Sequence, residues 1–240
     1  QFTRWAYSAV RCLPIHRPED RPQIARDLAA LLDYVDALLA ARRARPRDDF
    51  LSRFADAAGA EGDMSGAEIR AQIAGLIFAG SDTTRLGIAT TLSQLLQHPA
   101  QWRAFVADPD GLKKQAVEEG LRFDPVIATI PRVALVDLDL DGWALPAGSI
   151  VFFSMLSALR DGDVYADPDR FDIFRADHPR WSIAFGAGAH RCLGEWLARA
   201  EIEETLAAIA RRAPNVRLEG PPPRLCGLDA VRAIGYTDSA

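Results

Sequence analysis

The chain has 240 residues, of which 49% are hydrophobic and 25% charged, a balance that fits a folded globular protein and excludes intrinsic disorder. With 28 Lys and Arg against 33 Asp and Glu the net charge is −5, so broad electrostatic binding of nucleic acid or anionic lipid is not expected. The most apolar run, Ile73 to Gly80, is far shorter than the ~20 residues that cross a bilayer, so no membrane anchor is expected.

The N-terminus, QFTRWAYSAV, lacks both an initiator Met and the basic-then-apolar plan of a secretory signal. The chain is therefore expected to begin inside a longer sequence. Three cysteines, Cys12, Cys192 and Cys226, with no C-x-x-C spacing, indicate neither a disulfide framework nor a zinc site, and a reducing cytoplasm is the expected location.

Leu28, Leu31, Leu32, Val35, Leu38 and Leu39 recur at helical spacing and predict an amphipathic helix from Gln23 to about Arg45. Pro46 ends it, and Asp48 is placed to cap a short helix carrying Leu51 and Phe54. Ser65-Gly-Ala-Glu68 has the capping-box pattern and opens a long helix that runs to His98-Pro99. Roughly thirty residues at 1.5 Å each give about 45 Å, enough to cross a whole domain. Its apolar residues are not confined to one stripe, which predicts a buried central helix.

Shorter helices follow around Trp102 to Val106 and Gly111 to Phe123. Between Arg132 and Phe153 the pattern is strand-like, with Asp141-Gly142 and Pro146-Ala147-Gly148 as hairpin turns. Residues 160–190 predict a long irregular segment, uncommon unless functional. A last helix runs from Gly194 to about Arg212, and the Pro221–Pro223 run leads into a short β-like tail. The predicted class is mainly α with minor β.

Three places depart from local rules. Ala79-Gly-Ser-Asp-Thr-Thr84 sits at the middle of the long helix, although Gly, Ser, Asp and Thr are poor helix-interior residues. Gly80 lets something approach the backbone, and the Thr83 hydroxyl is placed to bond the carbonyl four residues back, beside the carboxylate of Asp82. The result is either a functional groove or a packing notch with a hydrogen-bonded Thr. Second, Phe185-Gly-Ala-Gly-Ala-His-Arg-Cys192-Leu-Gly194 precedes the last helix. It is not a dinucleotide loop, because Arg191 takes the third glycine's place, and it lacks the Lys-Ser/Thr of a Walker loop. A helix N-terminus does favour anionic sulfur, so Cys192 reads as a nucleophile, a metal ligand or an inert buried thiol. A Cys-nucleophile hydrolase is the weakest of these, since nothing supplies an oriented base. Third, Glu119 and Arg122 share a helix face at i,i+3 spacing, a pairing that alone reads as a surface ion pair.

Together and in this order, the three features resemble the haem-thiolate monooxygenases of the cytochrome P-450 superfamily. AGSDTT at 79–84 resembles the oxygen-activation motif of the central helix, EGLR at 119–122 the E-x-x-R pair, FGAGAHRCLG at 185–194 the cysteine-ligand loop, and DPDRFD at 167–172 the meander. PRVA at 131–134 and GEWLAR at 194–199 are similar to soluble bacterial members. The resemblance covers residues 23–240, and it implies that 1–240 is the C-terminal part of one cytochrome P-450 domain. The N-terminal part, with much of the substrate lid and a helix beside the haem, lies outside it.

The resemblance implies a haem b cofactor with Cys192 as axial ligand to iron, its thiolate favouring O–O cleavage. Phe185 would pack on the thiolate side and Arg132 and His190 would hold the propionates. Gly80 would leave space for oxygen, Asp82 and Thr83 would deliver protons, and Gly194 would close the ligand loop. Glu119, Arg122 and Arg170 would form a structural network behind the haem. Val126 to Ile130 and the tail near Leu228 would face a small apolar organic substrate, and Arg199 would meet an acidic redox partner. The remaining histidines, His16, His98 and His178, match no family role. The implied reaction inserts one atom of O2, with electrons from NAD(P)H through a reductase and a ferredoxin. The alternatives are a peroxide-driven peroxygenase on the same fold, against which the Asp82-Thr83 pair argues, and a truncated, non-catalytic haem-binding remnant. Residues 1–240 alone are expected to bind haem weakly and to turn over no substrate.

Overall fold

Residues 1–82 and 83–240 form two units, each with its own core. The computed structural model describes residues 2–10, 18–60, 64–179, 181–219, 224–226 and 233–235.

The first unit comprises α1 (Phe2–Val10), α2 (Arg21–Ala44), α3 (Phe50–Ala60) and the first half of α4 (Gly66–Gln97). The sequence pattern did not announce α1. It is fastened to α2 through buried Asp27, which accepts from Ser8 Oγ at 2.7 Å and Arg4 Nε at 3.1 Å. The cap of α3 is Asp49 rather than Asp48. The helix starts at Phe50, so Asp49 holds the N-cap place and accepts from Ser52 N at 2.8 Å. That backbone bond, with the Ser52 hydroxyl and Arg42 adding to it, holds the Asp49 carboxyl down to about 2. Asp48 pairs with Arg53 instead. Val35 and Leu39 of α2 and Ile69 and Ile73 of α4 make the core, against which Leu51 and Phe54 pack.

α4 opens with the expected capping box. Ser65 N donates to Glu68 Oε2 at 2.7 Å and Glu68 N to Ser65 Oγ at 3.3 Å. The helix is unbroken through residues 79–84. It is not buried throughout, however. Over its first half only the Ile69–Ile73 stripe is covered, leaving Leu76, Ala79 and Gly80 exposed. Over its second half Thr90, Thr91, Ser93 and Leu95 are buried.

The second unit continues with α5 (Pro99–Ala107) and α6 (Pro109–Phe123). Both begin at a proline, whose missing N–H costs nothing in the first turn. Asp108 caps α6 by accepting from Gly111 N at 2.9 Å. With α8 (Glu195–Arg212) and the second half of α4, these helices bury Leu95, Phe105, Val117, Leu121, Ile202 and Leu206 in one core. α4 and α6 meet where Gly120 faces Thr91, and a Cβ at 120 would lie 2.3 Å from Thr91 Oγ1.

Four short strands follow α6. β1 (Thr129–Val133) pairs antiparallel with β4 (Ile150–Ser154), and β2 (Leu138–Leu140) with β3 (Trp143–Leu145). Asp141 and Gly142, with φ of 50° and 86°, make the two-residue hairpin turn that a right-twisted β2–β3 ribbon needs. The turn at 146–148 is no hairpin. It sends the chain from β3 into β4, which returns to β1, and Gly148 N donates to Ala134 O at 2.8 Å. After the single turn of α7 (Met155–Ala158) the chain is irregular up to α8, apart from 3-10 turns at 183–185 and 188–190. β5 (Arg224–Cys226) and β6 (Ala233–Gly235) pair near the C-terminus. Pro221–Pro223, Leu228, His16 and Cys12 lie outside the described residues.

Candidate functional site

The segment before α8 folds back on itself to present Cys192. Gly186, at φ 73°, turns the chain after Phe185 as only glycine does without strain, and Gly188 repeats this at 76°. Cys192 N donates to Phe185 O at 2.9 Å, closing the loop. The sulfur lies three residues ahead of the first residue of an eighteen-residue helix, at the positive end of its dipole, and Cys192 is exposed. Gly194 is the N-cap of α8, and a Cβ there would touch Cys192 Sγ at 4.0 Å.

Cys192 lines a cavity of about 360 Å³ in the second unit. Its walls are largely aliphatic, with Leu121, Val126, Ile127, Ile130 and Ile202, and Phe185 adds a ring. Thr83 and Thr84 bring two hydroxyls, and Arg132 and His190 two cationic or potentially cationic groups. Arg132 is exposed, and among the described residues its guanidinium bonds only the carbonyl of its neighbour Pro131, at 2.8 Å. His190 is also exposed and has no polar side-chain contact among the described residues. Phe185 is fixed from the other direction by Arg199, whose guanidinium carbon lies 4.6 Å from the ring centroid. Asp82 is buried on α4 one residue before Thr83, and Gly80 is exposed. Ser81 on the same stretch bonds the carbonyl of Ile77, four residues back.

Glu119 and Arg122 are no surface pair, because both are fully buried. Arg122 grips the carboxylate with two parallel bonds, Nε to Oε2 at 2.6 Å and an η-nitrogen to Oε1 at 2.8 Å. It also donates to the carbonyls of Leu159, Pro168 and Arg170. One arginine thereby pins the irregular segment to α6. The expectation for Arg170 is corrected here. Its backbone carbonyl joins the network, but its side chain is exposed and binds Asp172 at 2.9 Å. The turn closed by Arg170 N on Asp167 O, with Asp167 at φ 46°, carries that side chain outward. Arg175 takes the inner place, 3.4 Å from Glu119 Oε2 with its side chain 4% exposed.

His178, which the sequence left without a role, approaches the same oxygen at 3.5 Å. Burial holds its pKa below the ordinary value; Glu119 and Asp177 oppose that, and Arg122 and Arg175 add to it. An arginine three residues after Asp172 was the available signal for Arg175. Nothing in the sequence marks His178.

A second charge chain backs the Cys192 loop. Glu195, buried in the first turn of α8, accepts from Arg191 and Arg199, and Arg199 also pairs with Glu118. Burial pushes the Glu118 carboxyl up while Arg199 pulls the other way. Arg199 is thus committed within the fold, with its side chain 11% exposed, so it is not the open docking cation expected from sequence. The i,i+4 spacings of 191, 195 and 199 were the legible sign of this chain.

The family model described as Cytochrome P450 matches residues 16–104 and 112–213. The plant-inducible cytochrome P450-pinF1 of Rhizobium radiobacter is 44% identical over 232 residues, covering 96% of this chain and 54% of that protein. Luteothin monooxygenase of Streptomyces thioluteus is 38% identical over 200 residues, covering 82% and 48%. The econazole-bound CYP164A2 of Mycobacterium smegmatis superposes with a TM-score of 0.89 at 30% identity, covering 97% of this chain and 59% of that one. The chain spans about half the length of the relatives it matches.

Proposed function

The chain belongs to the cytochrome P450 family, and from that premise we propose that the whole protein is a haem-dependent monooxygenase with Cys192 as the axial ligand to iron. The observation that carries this reading is the placement of Cys192 on an apolar cavity that Thr83, Arg132 and His190 also line.

The residues suit haem b. A flat apolar macrocycle with two carboxylates needs an aliphatic slot, a soft anionic ligand and cations at one edge. The cavity supplies Val126, Ile127, Ile130 and Phe185 for the first, Cys192 for the second, and Arg132 and His190 for the third. The bound group would supply activation of O2, one atom passing to substrate and the other to water.

This chain's own part is to hold the group and to move protons. Phe185, braced by Arg199, lines the cavity with Cys192 and would pack on the thiolate side of the bound group. Thr83, with Asp82 before it on α4, is the proton path; an acid next to an alcohol can pass a proton and re-protonate from solvent. Gly194 keeps a side chain away from the sulfur, which a Cβ there would meet at 4.0 Å. Glu119, Arg122 and Arg175 hold the irregular segment on which the ligand loop depends. Aliphatic walls suit a small apolar organic substrate.

The electrons come from a ferredoxin-type donor and an NAD(P)H-dependent reductase, and the Asp82-Thr83 pair favours this over peroxide-driven chemistry. No helix among the described residues is long and apolar enough to cross a membrane, and the proposed location is the cytoplasm.

Thr83→Ala tests the proton path. Ala is the better helix former, so folding and haem content are expected to stay near normal. Reductant consumed per product formed is expected to rise, the excess appearing as peroxide or water. Full coupling in Thr83→Ala would remove Thr83 from the mechanism.

A further inference from the structure

We infer that Arg191, held by Glu195, is a positioning residue for Cys192: it fixes the ligand loop and supplies a positive charge behind the sulfur. The inference rests on the proposed role of Cys192 as the iron ligand.

The geometry is unusual for a residue in an exposed glycine-rich loop. The Arg191 side chain reaches back across the turn and donates to Gly186 O at 2.8 Å and Ser182 O at 3.2 Å. It reaches forward to both Glu195 oxygens, at 2.8 and 2.7 Å. Its guanidinium carbon sits 5.1 Å from the Trp181 ring centroid. One side chain thus ties together the residues before the loop, the glycine that turns it and the first turn of α8, with Cys192 inside the span. A planar fork makes this possible, and a lysine has no equivalent.

The charges are ordered as well. Glu195 is 4% exposed and carries bonds from Arg191 on one side and Arg199 on the other. Arg199 in turn meets Glu118. Arg191, Glu195, Arg199 and Glu118 alternate in sign, and the cation at the end of the row is the residue covalently next to Cys192. A cation placed there stabilises the reduced, less positive state of a metal held by the sulfur. Neutralising the cation and neutralising its counter-ion should therefore have opposite effects, which a merely loosened loop would not give.

The test uses the whole protein loaded with haem, in four forms: wild type, Arg191→Gln, Arg191→Lys and Glu195→Gln. Two quantities are read, the reduction potential by spectroelectrochemical titration and the rate of haem loss to a scavenging apoglobin. Arg191→Gln is expected to lower the potential and Glu195→Gln to raise it, each by roughly a tenfold change in the reduction equilibrium, about 59 mV for one electron. Arg191→Lys keeps the charge and loses the fork. It is expected to hold the potential within a third of that shift and to lose haem several-fold faster. If Arg191→Gln does not fold, the sign of the Glu195→Gln shift decides. Shifts of one sign for both neutralising variants, or no shift in either, overturn the inference while leaving Cys192 as ligand. A wild-type reduced carbonyl complex without the thiolate Soret band overturns the ligand assignment, and this inference with it.

Discussion

Gly120→Ala is a substitution on which two physical effects give opposite signs. On helix propensity alone, replacing Gly by Ala inside α6 stabilises by about 1 kcal/mol. The structure opposes this. A Cβ at 120 would stand 2.3 Å from Thr91 Oγ1, 2.4 Å from its Cγ2 and 2.7 Å from its Cβ. Rotating the Thr91 side chain relieves at most one of the first two contacts, since its Cβ carries a single hydrogen, and it leaves the third, because that Cβ is fixed to the α4 backbone. Thr91 is fully buried, so α4 and α6 must move apart. Overpacking of this kind costs roughly 1–3 kcal/mol, and with backbone on both sides the upper end applies. After the propensity gain, a net loss of about 2 kcal/mol remains. Thermal and denaturant unfolding of the whole protein measure it. In a Thr91→Ala background two of the three contacts are gone, so the cost of Gly120→Ala should shrink without vanishing. A Gly120→Ala protein as stable as wild type, or more so, would refute the reasoning.

The assignment of the inner arginine is tested by contrast. Arg175→Ala is expected to cost about 1.5–3 kcal/mol, because it removes a buried cation beside Glu119 and its hydrogen bonds to Asp177 and to the carbonyls of Ala166, Asp167 and Arg170. Arg170→Ala, whose side chain is 65% exposed on Asp172, is expected to cost less than about 1 kcal/mol, and equal losses would contradict the placement. His178 gives a pH dependence with a definite sign. Its folded pKa lies below the ordinary 6.5, chiefly through burial, so the unfolded chain binds the extra proton first. The stability tied to its neutral form is complete above 6.5 and is lost as the pH falls below it. His178→Phe should flatten that part of the stability–pH curve, and an unchanged slope would remove His178 as its source.

Much of the fold is legible in the sequence because its signals are local. The Ser65–Glu68 box, the prolines at 46 and 99 and the Asp141-Gly142 turn each act within four residues, and the elements they bound appear where expected. The ligand loop is legible for the same reason, being ten consecutive residues. What the sequence hides is long-range. Asp48 and Asp49 are equivalent caps until the helix start is known. Arg170 and Arg175 are equivalent partners for Glu119 until the turn at Asp167 sends one outward. β4 returning to β1, rather than pairing with β3, depends on strands nearly twenty residues apart. Arg199 reads as a free surface cation until α6 brings Glu118 against it.

The ligation of haem iron by Cys192 is tested most directly by the spectrum of the reduced carbonyl complex of the whole protein. The wild type is expected to show the red-shifted Soret band of thiolate ligation, and Cys192→His to lose it while the Glu119–Arg122 network keeps the chain folded. A Cys192→His protein that retained the red-shifted band would contradict the account.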